Sequence, residues 1–267
     1  MVSLIVGDIM VYYFTGTGNS KFIAEAFAER LETETVCLND YIKKKEVLVV
    51  ENDRRIVFVA PIYAWRYPIV VEKLIKNALY KDNNHVYFIG TMQSQTGDCA
   101  KYCQRLCKEA GLEFRGFSGI PMPNNYIVSG DVPNEREVFT SLKMAIPVVD
   151  TLAYMINQDM DIKKNDFTPL SGLLSGAVNK MFNKYMTSSD GFNVSSDCIS
   201  CGLCQKECPV NNILLKDGKP EFGQKCINCL RCIHGCPKKA INIKDKTQGR
   251  GRYMCPEYKE FIKTIDN

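Results

Sequence analysis

Two short stretches, CISCGLCQKECP (198–209) and CINCLRCIHGCP (226–237), constrain this chain more than anything else in it. Both are C-x2-C-x2-C-x3-C-P. Each cysteine of the first recurs 28 positions later: Cys198 and Cys226, Cys201 and Cys229, Cys204 and Cys232, Cys208 and Cys236. The likeness runs on past the cysteines, with ILLKD (213–217) against INIKD (241–245). Such a duplication predicts two similar halves related by a pseudo-twofold axis. Three cysteines with two residues between them wrap a loop around one cubane, and the fourth opens a helix pointing away and ligates the other cluster. The spacing therefore assigns Cys198, Cys201, Cys204 and Cys236 to one [4Fe–4S] cluster and Cys226, Cys229, Cys232 and Cys208 to a second. Pro209 and Pro237 lack an N–H, which suits a chain turning away from the sulfur. Paired four-cysteine zinc sites share the C-x2-C spacing but require neither the third cysteine nor the C-P.

The chain has 13 cysteines in 267 residues. Disulfide frameworks belong to short secreted chains, so metal sites are the expectation. Charge divides where cysteine content does. Residues 1–189 carry 21 Lys and Arg against 21 Asp and Glu, and residues 190–267 carry 13 against 9, the whole formal charge of +4. Two ligated clusters add about −4, which cancels that excess and removes the case for nucleic acid. Two readings stay open for the basic run 238–252: docking of an acidic protein, or simple solvation. Apolar content of 45% and charged content of 24% are those of a soluble globular protein. The apolar run 1–7 is too short to span a membrane and has no cationic lead, so neither a membrane span nor a signal peptide is expected, and the localisation read is cytoplasmic.

Ahead of the cysteines, apolar runs at 9–14, 34–38, 55–60, 85–90 and 113–119 alternate with helical patterns near 20–31, 68–79, 97–110 and 134–159. Alternating βα units predict a five-stranded parallel sheet with helices on both faces. The first strand runs into YFTGTGNSK (13–21). This is not G-x-x-x-x-G-K-[ST], and it lacks the third glycine of G-x-G-x-x-G. Thr15, Thr17, Asn19 and Ser20 offer side-chain donors, and the backbone N–H groups around Gly16 and Gly18 curl into an anion nest at a helix start. One phosphate monoester can be held there without magnesium or lysine.

Thr15-x-Thr17-Gly18-Asn19-Ser20 resembles the FMN-phosphate loop of flavodoxins, (S/T)-x-T-G-x-(S/T). Residues 192–247 resemble the bacterial two-[4Fe–4S] ferredoxins. Nearly the whole chain is similar to flavodoxin–ferredoxin fusion proteins. The resemblance implies a flavodoxin-like α/β domain over 1–160, a linker with an amphipathic helix over 161–190, a small α+β two-cluster ferredoxin domain over 191–247 and a tail over 248–267. It also implies FMN, held at its phosphate by Thr15, Gly16, Thr17, Gly18, Asn19 and Ser20. Two further loops would hold the flavin ring: PIYAWRYP (61–68), with Pro61, Tyr63 and Trp65, and TMQSQTGD (91–98), with Thr91, Met92 and Gln93. Family members often carry glycine and tyrosine in the latter, so the ring environment here departs from the family's. Tyr63 and Trp65 have a second reading, as cover for a helix start before Pro68. In MPNNY (122–126), Asn125 and Tyr126 either approach the flavin edge or form a plain turn.

Other features read as structure. Cys99, Cys103 and Cys107 share a helical face with Leu106 and are expected as small buried hydrophobes. Cys37 reads as core, and Cys255 as a packing residue or an exposed thiol. His85 and His234 show no acid–base partner. In 169–186, Leu170, Leu173, Leu174, Val178, Met181, Phe182 and Tyr185 form an apolar stripe, expected to pack between the domains rather than on a membrane surface. The function expected is electron transfer between FMN and two [4Fe–4S] clusters, in exchange with redox partner proteins. The alternatives are a flavin-dependent reductase whose clusters feed FMN and whose acceptor is a small molecule (a quinone, a nitro compound or free flavin) and, less favoured, a redox sensor.

Overall fold

The computed structural model describes residues 8–50, 54–81, 84–162, 172 and 174–265. Five apolar runs form one parallel sheet: β1 (Ile9–Tyr13), β2 (Thr35–Cys37), β3 (Arg55–Pro61), β4 (His85–Met92) and β5 (Glu113–Pro121). The spatial order is β2-β1-β3-β4-β5, and every neighbouring pair is parallel. Reversal of the chain's progress beside β1 makes a switch point at the C-terminal ends of β1 and β3, where open α/β sheets place their ligands.

Helices cover both faces. α1 (Asn19–Arg30) and α5 (Glu135–Asn157) bury Phe22, Ile23, Phe27, Leu142, Val149 and Ile156 on one side. α3 (Ile69–Lys76) and α4 (Cys99–Ala110) cover the other, where Cys99, Cys103 and Cys107 are buried beside Leu106 as expected. A further helix, α2 (Leu38–Lys44), begins where the sequence pattern ends a strand. α5 is long and apolar enough to cross a membrane by length and composition, yet its Leu142, Ala145, Val149 and Leu152 face packs on the sheet domain. Asn134 caps it in a capping box with Glu137, which accounts for its sharp start.

The cysteine-rich part is small. β6 (Phe192–Val194) pairs antiparallel with β9 (Ile241–Ile243), and β7 (Ile213–Lys216) pairs antiparallel with β8 (Lys219–Phe222). Two short helices follow the cysteine loops, α6 (Leu203–Glu207) and α7 (Arg231–His234). They repeat at the spacing of the cysteine duplication, as do β7 and β9. The last helix, α8 (Tyr258–Ile265), returns to the sheet domain, where Tyr258 and Phe261 pack edge-on against Phe22.

Between the two parts, residues 174–186 form an irregular helix, α-helical at Asn179–Met181 and wider-wound on either side. The expected apolar stripe does not decide its seating. Met181 and Tyr185 are 60% and 62% exposed, whereas Ser175 and Asn179, one turn apart, are buried. Ser175 Oγ accepts from Asp98 N (2.8 Å), and Asn179 Nδ2 donates to the carbonyls of Tyr63 (3.1 Å) and Ala64 (2.8 Å). Polar partners in the neighbouring loops outweigh the apolar pattern. Leu170 and Leu173 lie outside the described residues, as does the run 1–7.

Candidate functional site

α1 begins without help. Its cap residue, Gly18, has φ 106°, no side chain bonds its first N–H groups, and no acidic residue occupies its first turn. Those N–H groups have no partner within a helix, and their dipole favours an anion. The loop before it is held from outside: Asn39 bridges Thr15, accepting from its N–H (3.0 Å) and donating to its carbonyl (2.8 Å), and Thr15 Oγ1 accepts from Gly18 N (3.0 Å). Thr17 Oγ1 accepts from Asn125 Nδ2 (2.6 Å), and Ser20 Oγ and Thr91 Oγ1 lie 2.7 Å apart. Asn19 donates to Pro123 O (2.9 Å) and accepts from the Tyr253 hydroxyl (2.7 Å).

This loop floors a cavity of about 390 Å³ at the sheet's C-terminal edge. Thr15, Gly16, Thr17, Asn19, Ser20, Pro61, Tyr63, Trp65, Thr91, Met92 and Gln93 all line it. Among the residues expected there, Gly18 alone does not, and it faces a neighbouring polar cleft instead. Asn125 and Tyr126 line the cavity too. Tyr63 and Trp65 enter it from a tight turn, with Tyr63 N to Arg66 O at 2.8 Å and Arg66 N to Tyr63 O at 3.2 Å. Ala64 and Trp65, the central pair, have φ 45° and 64°. Positive φ at both positions normally calls for Gly or Asn, so this turn is strained and held by its surroundings. Arg66 supplies part of the hold, with its guanidinium paired to Glu72 and 3.9 Å from the Tyr102 ring centre.

A third wall comes from beyond the sheet domain. Phe182 of the linking helix and Asn228, Cys229 and Leu230 of the second cysteine loop line the same cavity. A Cβ on Gly16 would stand 2.7 Å from Cys229 O and 3.2 Å from the Tyr63 hydroxyl. Arg231 Nη1 donates to Gly16 O (2.8 Å) and its guanidinium pairs with Glu207. Burial holds the Tyr63 phenol well above its usual pKa, with the Cys229 and Cys226 thiols adding to the effect, so it stays neutral.

The eight expected cluster ligands fall into the two expected sets. Cys198, Cys201, Cys204 and Cys236 line one small void, and Cys208, Cys226, Cys229 and Cys232 line another. Backbone N–H groups point at the sulfurs in matching places: Asn212 N to Cys208 Sγ (3.2 Å) and Ala240 N to Cys236 Sγ (3.3 Å), with Asn228 N to Cys226 Sγ at 3.3 Å. Burial pushes Cys229 up to about 12 and Cys232 well above the ordinary thiol value, and neighbouring thiols add to both. Thiols gathered this closely are poor company for one another, and a thiophilic cationic core that displaces their protons removes that penalty. Among the described residues, no group of three or more His, Cys, Asp or Glu converges to hold a single metal ion. The thiols surround a space, as a cluster requires. The two voids differ in setting: Cys201 is exposed at the first, whereas Cys229 of the second touches the phosphate loop.

A model of the flavodoxin domain matches residues 10–113, and a model of the 4Fe-4S dicluster domain matches residues 197–241. The chain joins a flavodoxin domain to a 4Fe-4S dicluster domain. No curated protein matches its sequence. Among solved structures, a Bacteroides uniformis protein described as a flavoprotein is 16% identical at a TM-score of 0.36, over 43% of this chain and 90% of its own. The rubredoxin oxygen:oxidoreductase of Desulfovibrio gigas is 9% identical at 0.35, over 57% and 36%. Two-electron reduced flavodoxin of Megasphaera elsdenii is 16% identical at 0.31, over 42% and 84%. With both domains in one chain, this is an electron-transfer redox protein.

Sequence reasoning did not find Phe182, Asn228 or Leu230 at the flavodoxin cavity. The only local signal for Asn228 is its position between two cluster cysteines, which speaks of the cluster and not of the cavity.

Proposed function

We propose that the chain carries electrons between FMN, held in the cavity beside the phosphate loop, and two [4Fe–4S] clusters, held by the two sets of four cysteines. One observation carries this reading: Cys229, a ligand in the second set, stands against Gly16 of the phosphate loop, and its neighbours Asn228 and Leu230 form a wall of the cavity. When bound, a flavin takes up two electrons and gives them up singly, and each cluster carries one.

The residues do the positioning. The uncapped start of α1 and the side chains of Thr15, Thr17 and Ser20 hold a phosphate. Tyr63 and Trp65 supply aromatic surface for the ring, and the Thr91–Gln93 loop its polar edge. Arg231, bonded at once to Gly16 O and Glu207, ties the second cysteine loop to the phosphate loop. Cys201 is exposed, so the first set offers the outer face on which a partner protein exchanges electrons with the chain. Joining the sites in one chain replaces a diffusional encounter by a set separation.

Anaerobic purification with iron and sulfide present, followed by assay of iron, acid-labile sulfide and released flavin, tests the reading. About eight iron, about eight sulfide and one FMN per chain are expected from two cubanes and one phosphate site. Iron without flavin would leave a dicluster protein on an unloaded scaffold and would overturn it.

A further inference from the structure

Each cysteine set has an arginine beside it, and the two arginines are compensated differently. Arg231 stands by the second set: its charge acts on the Cys229 thiol, and Glu207 Oε2 accepts from its Nε at 2.8 Å. That ion pair carries no net charge. Arg252, in the tail, stands by the first set. Its Nη2 donates to Ile241 O (3.3 Å) and Asn242 Oδ1 (2.8 Å), and Ile241 lines the void that Cys198, Cys201, Cys204 and Cys236 surround. Its Nη1 donates to the carbonyls of Thr247 (3.2 Å), Arg250 (3.0 Å) and Gly251 (3.3 Å). All five acceptors are neutral. Among the described residues no carboxylate comes within ion-pair distance of this guanidinium, and its Nε is buried with no acceptor. The groups whose charge it feels are the Cys236 thiol and the Asp131 carboxylate. Asp131 is exposed and occupied by the N–H groups of Val132 and Gly251, so water screens its share.

A partly buried cation without a carboxylate calls for an anion nearby. Four thiolates around a [4Fe–4S] core carry net negative charge, and reduction adds one more. A fixed cation therefore favours the reduced form. It needs no contact to do so, because charge acts through space and acts most strongly away from water. Solvent works in the same direction: Cys201 of the first set is exposed, and no cysteine of the second is. On the other side, a phosphate seated by Gly16 would bring negative charge to the Cys229 loop and disfavour reduction there. We propose that Arg252 holds the first cluster at a higher potential than the second, so that an electron entering at the flavin comes to rest at the outer cluster, beside Cys201. The inference rests on the reading that the cysteine sets hold clusters and the cavity FMN, and it gives that reading a direction. One electron leaves the inner cluster and one arrives at the outer, with no proton or further reactant.

The test uses the full chain reconstituted with iron, sulfide and FMN, and reads the two cluster midpoints by redox titration followed by EPR. Iron per chain is assayed throughout. Cys201→Ser marks the first cluster, since it changes an exposed ligand of that set alone. The midpoint it moves is expected to be the higher of the two, and movement of the lower one would overturn the proposal. Arg252→Gln removes the charge and keeps an amide donor. It should lower the higher midpoint by about 59 mV, an about tenfold loss in a one-electron reduction equilibrium, and leave the lower midpoint in place. Arg252→Lys keeps a cation with fewer donors, so its higher midpoint stays closer to wild type than that of Arg252→Gln. An unchanged higher midpoint in Arg252→Gln at full iron content, or an equal fall in both variants, would overturn the role of the charge. Should Arg252→Gln lose iron, the order of midpoints marked by Cys201→Ser still decides the direction. A wild-type chain that holds iron for fewer than two clusters would overturn the cluster reading itself, a result the first assay gives before any variant is made.

Discussion

The main-chain carbonyl of Cys229 stands 2.7 Å from the point where a Cβ on Gly16 would be. Gly16 sits in the loop that invites a phosphate, and Cys229 in the loop that invites an iron–sulfur cluster. Real Cβ atoms essentially never come that close to a carbonyl oxygen, so glycine at 16 is what lets the two loops touch. Gly18 repeats the theme, since its Cβ would stand 2.8 Å from Cys255 Cβ. Both glycines of the phosphate motif are thus also interface glycines.

Gly16→Ala tests this contact. Gly16 is not among the glycines with positive φ, so its backbone accepts alanine and only the collision with Cys229 remains. Forcing a methyl into a packed contact costs about 1–3 kcal/mol, and the loops part to relieve it. FMN is expected to stay bound, and electron exchange between flavin and clusters to slow severalfold in rapid-mixing absorbance. Exchange at the wild-type rate would show that the contact does not set the separation.

The crossed ligation of the two cysteine sets has a counting test. Cys208 lines the same void as Cys226, Cys229 and Cys232, although in sequence it belongs with the first motif. Cys208→Ala combined with Cys226→Ala should therefore lose one cluster, about four iron, as each single change does. Cys208→Ala combined with Cys201→Ala should lose about eight. The reverse pattern would mean that each motif holds its own cluster.

What could be read in advance was what is local. Five apolar runs alternating with helical patterns specify the parallel sheet, and cysteine spacing anticipates which four thiols gather at each of the two small voids. Both follow from neighbours along the chain. The cavity's third wall was not legible, because Phe182 and Asn228 reach it only through the way the domains pack. The Ala64–Trp65 turn also gave no sign, since it holds positive φ without Gly or Asn and relies on Arg66, Glu72 and Asn179. In the linking helix the apolar stripe is only partly seated: Phe182 lines the cavity, whereas Met181 and Tyr185 are exposed. Ser175, accepting from the Asp98 N–H, and Asn179, donating to the Tyr63 and Ala64 carbonyls, seat the helix on loop backbone, and hydropathy does not register such bonds.

Asn179 is accordingly a useful place to loosen the ring loop without touching the cavity. Its Nδ2 is shared by the carbonyls of Tyr63 and Ala64, and Asn179→Ala leaves both without that donor. The cost expected is roughly 1–3 kcal/mol, and the strained turn that presents Trp65 is where it falls. Fluorescence titration should show FMN bound about tenfold more weakly, the same energy expressed in affinity. Iron content should not change. Wild-type affinity and wild-type thermal stability together would mean that Arg66 and Glu72 hold the turn alone.

The tail gives the molecule an alkaline limit. Burial pushes the Cys255 thiol from 9.0 up to about 12, opposed by the Tyr253 hydroxyl and reinforced by Glu257 and Glu25. Tyr258, three residues on, is moved from 10.0 to about 12, first by burial and then by Glu29, with Arg30 opposing. Both groups are acids whose folded values lie above their unfolded ones. Their contribution to docking the tail is complete below about pH 9, where the unfolded thiol still keeps its proton, and it is lost as pH rises toward 12. Cys255 should therefore alkylate far more slowly than a free thiol at pH 8, by at least about tenfold, because the thiolate is the nucleophile. Labelling should rise steeply above pH 10 as the tail lets go. The site is read by mass spectrometry of the peptide that carries Cys255. Labelling at pH 8 as fast as that of a small free thiol would show that the tail is already open, and that the Cys255 contact with Gly18 does not hold the phosphate loop in solution.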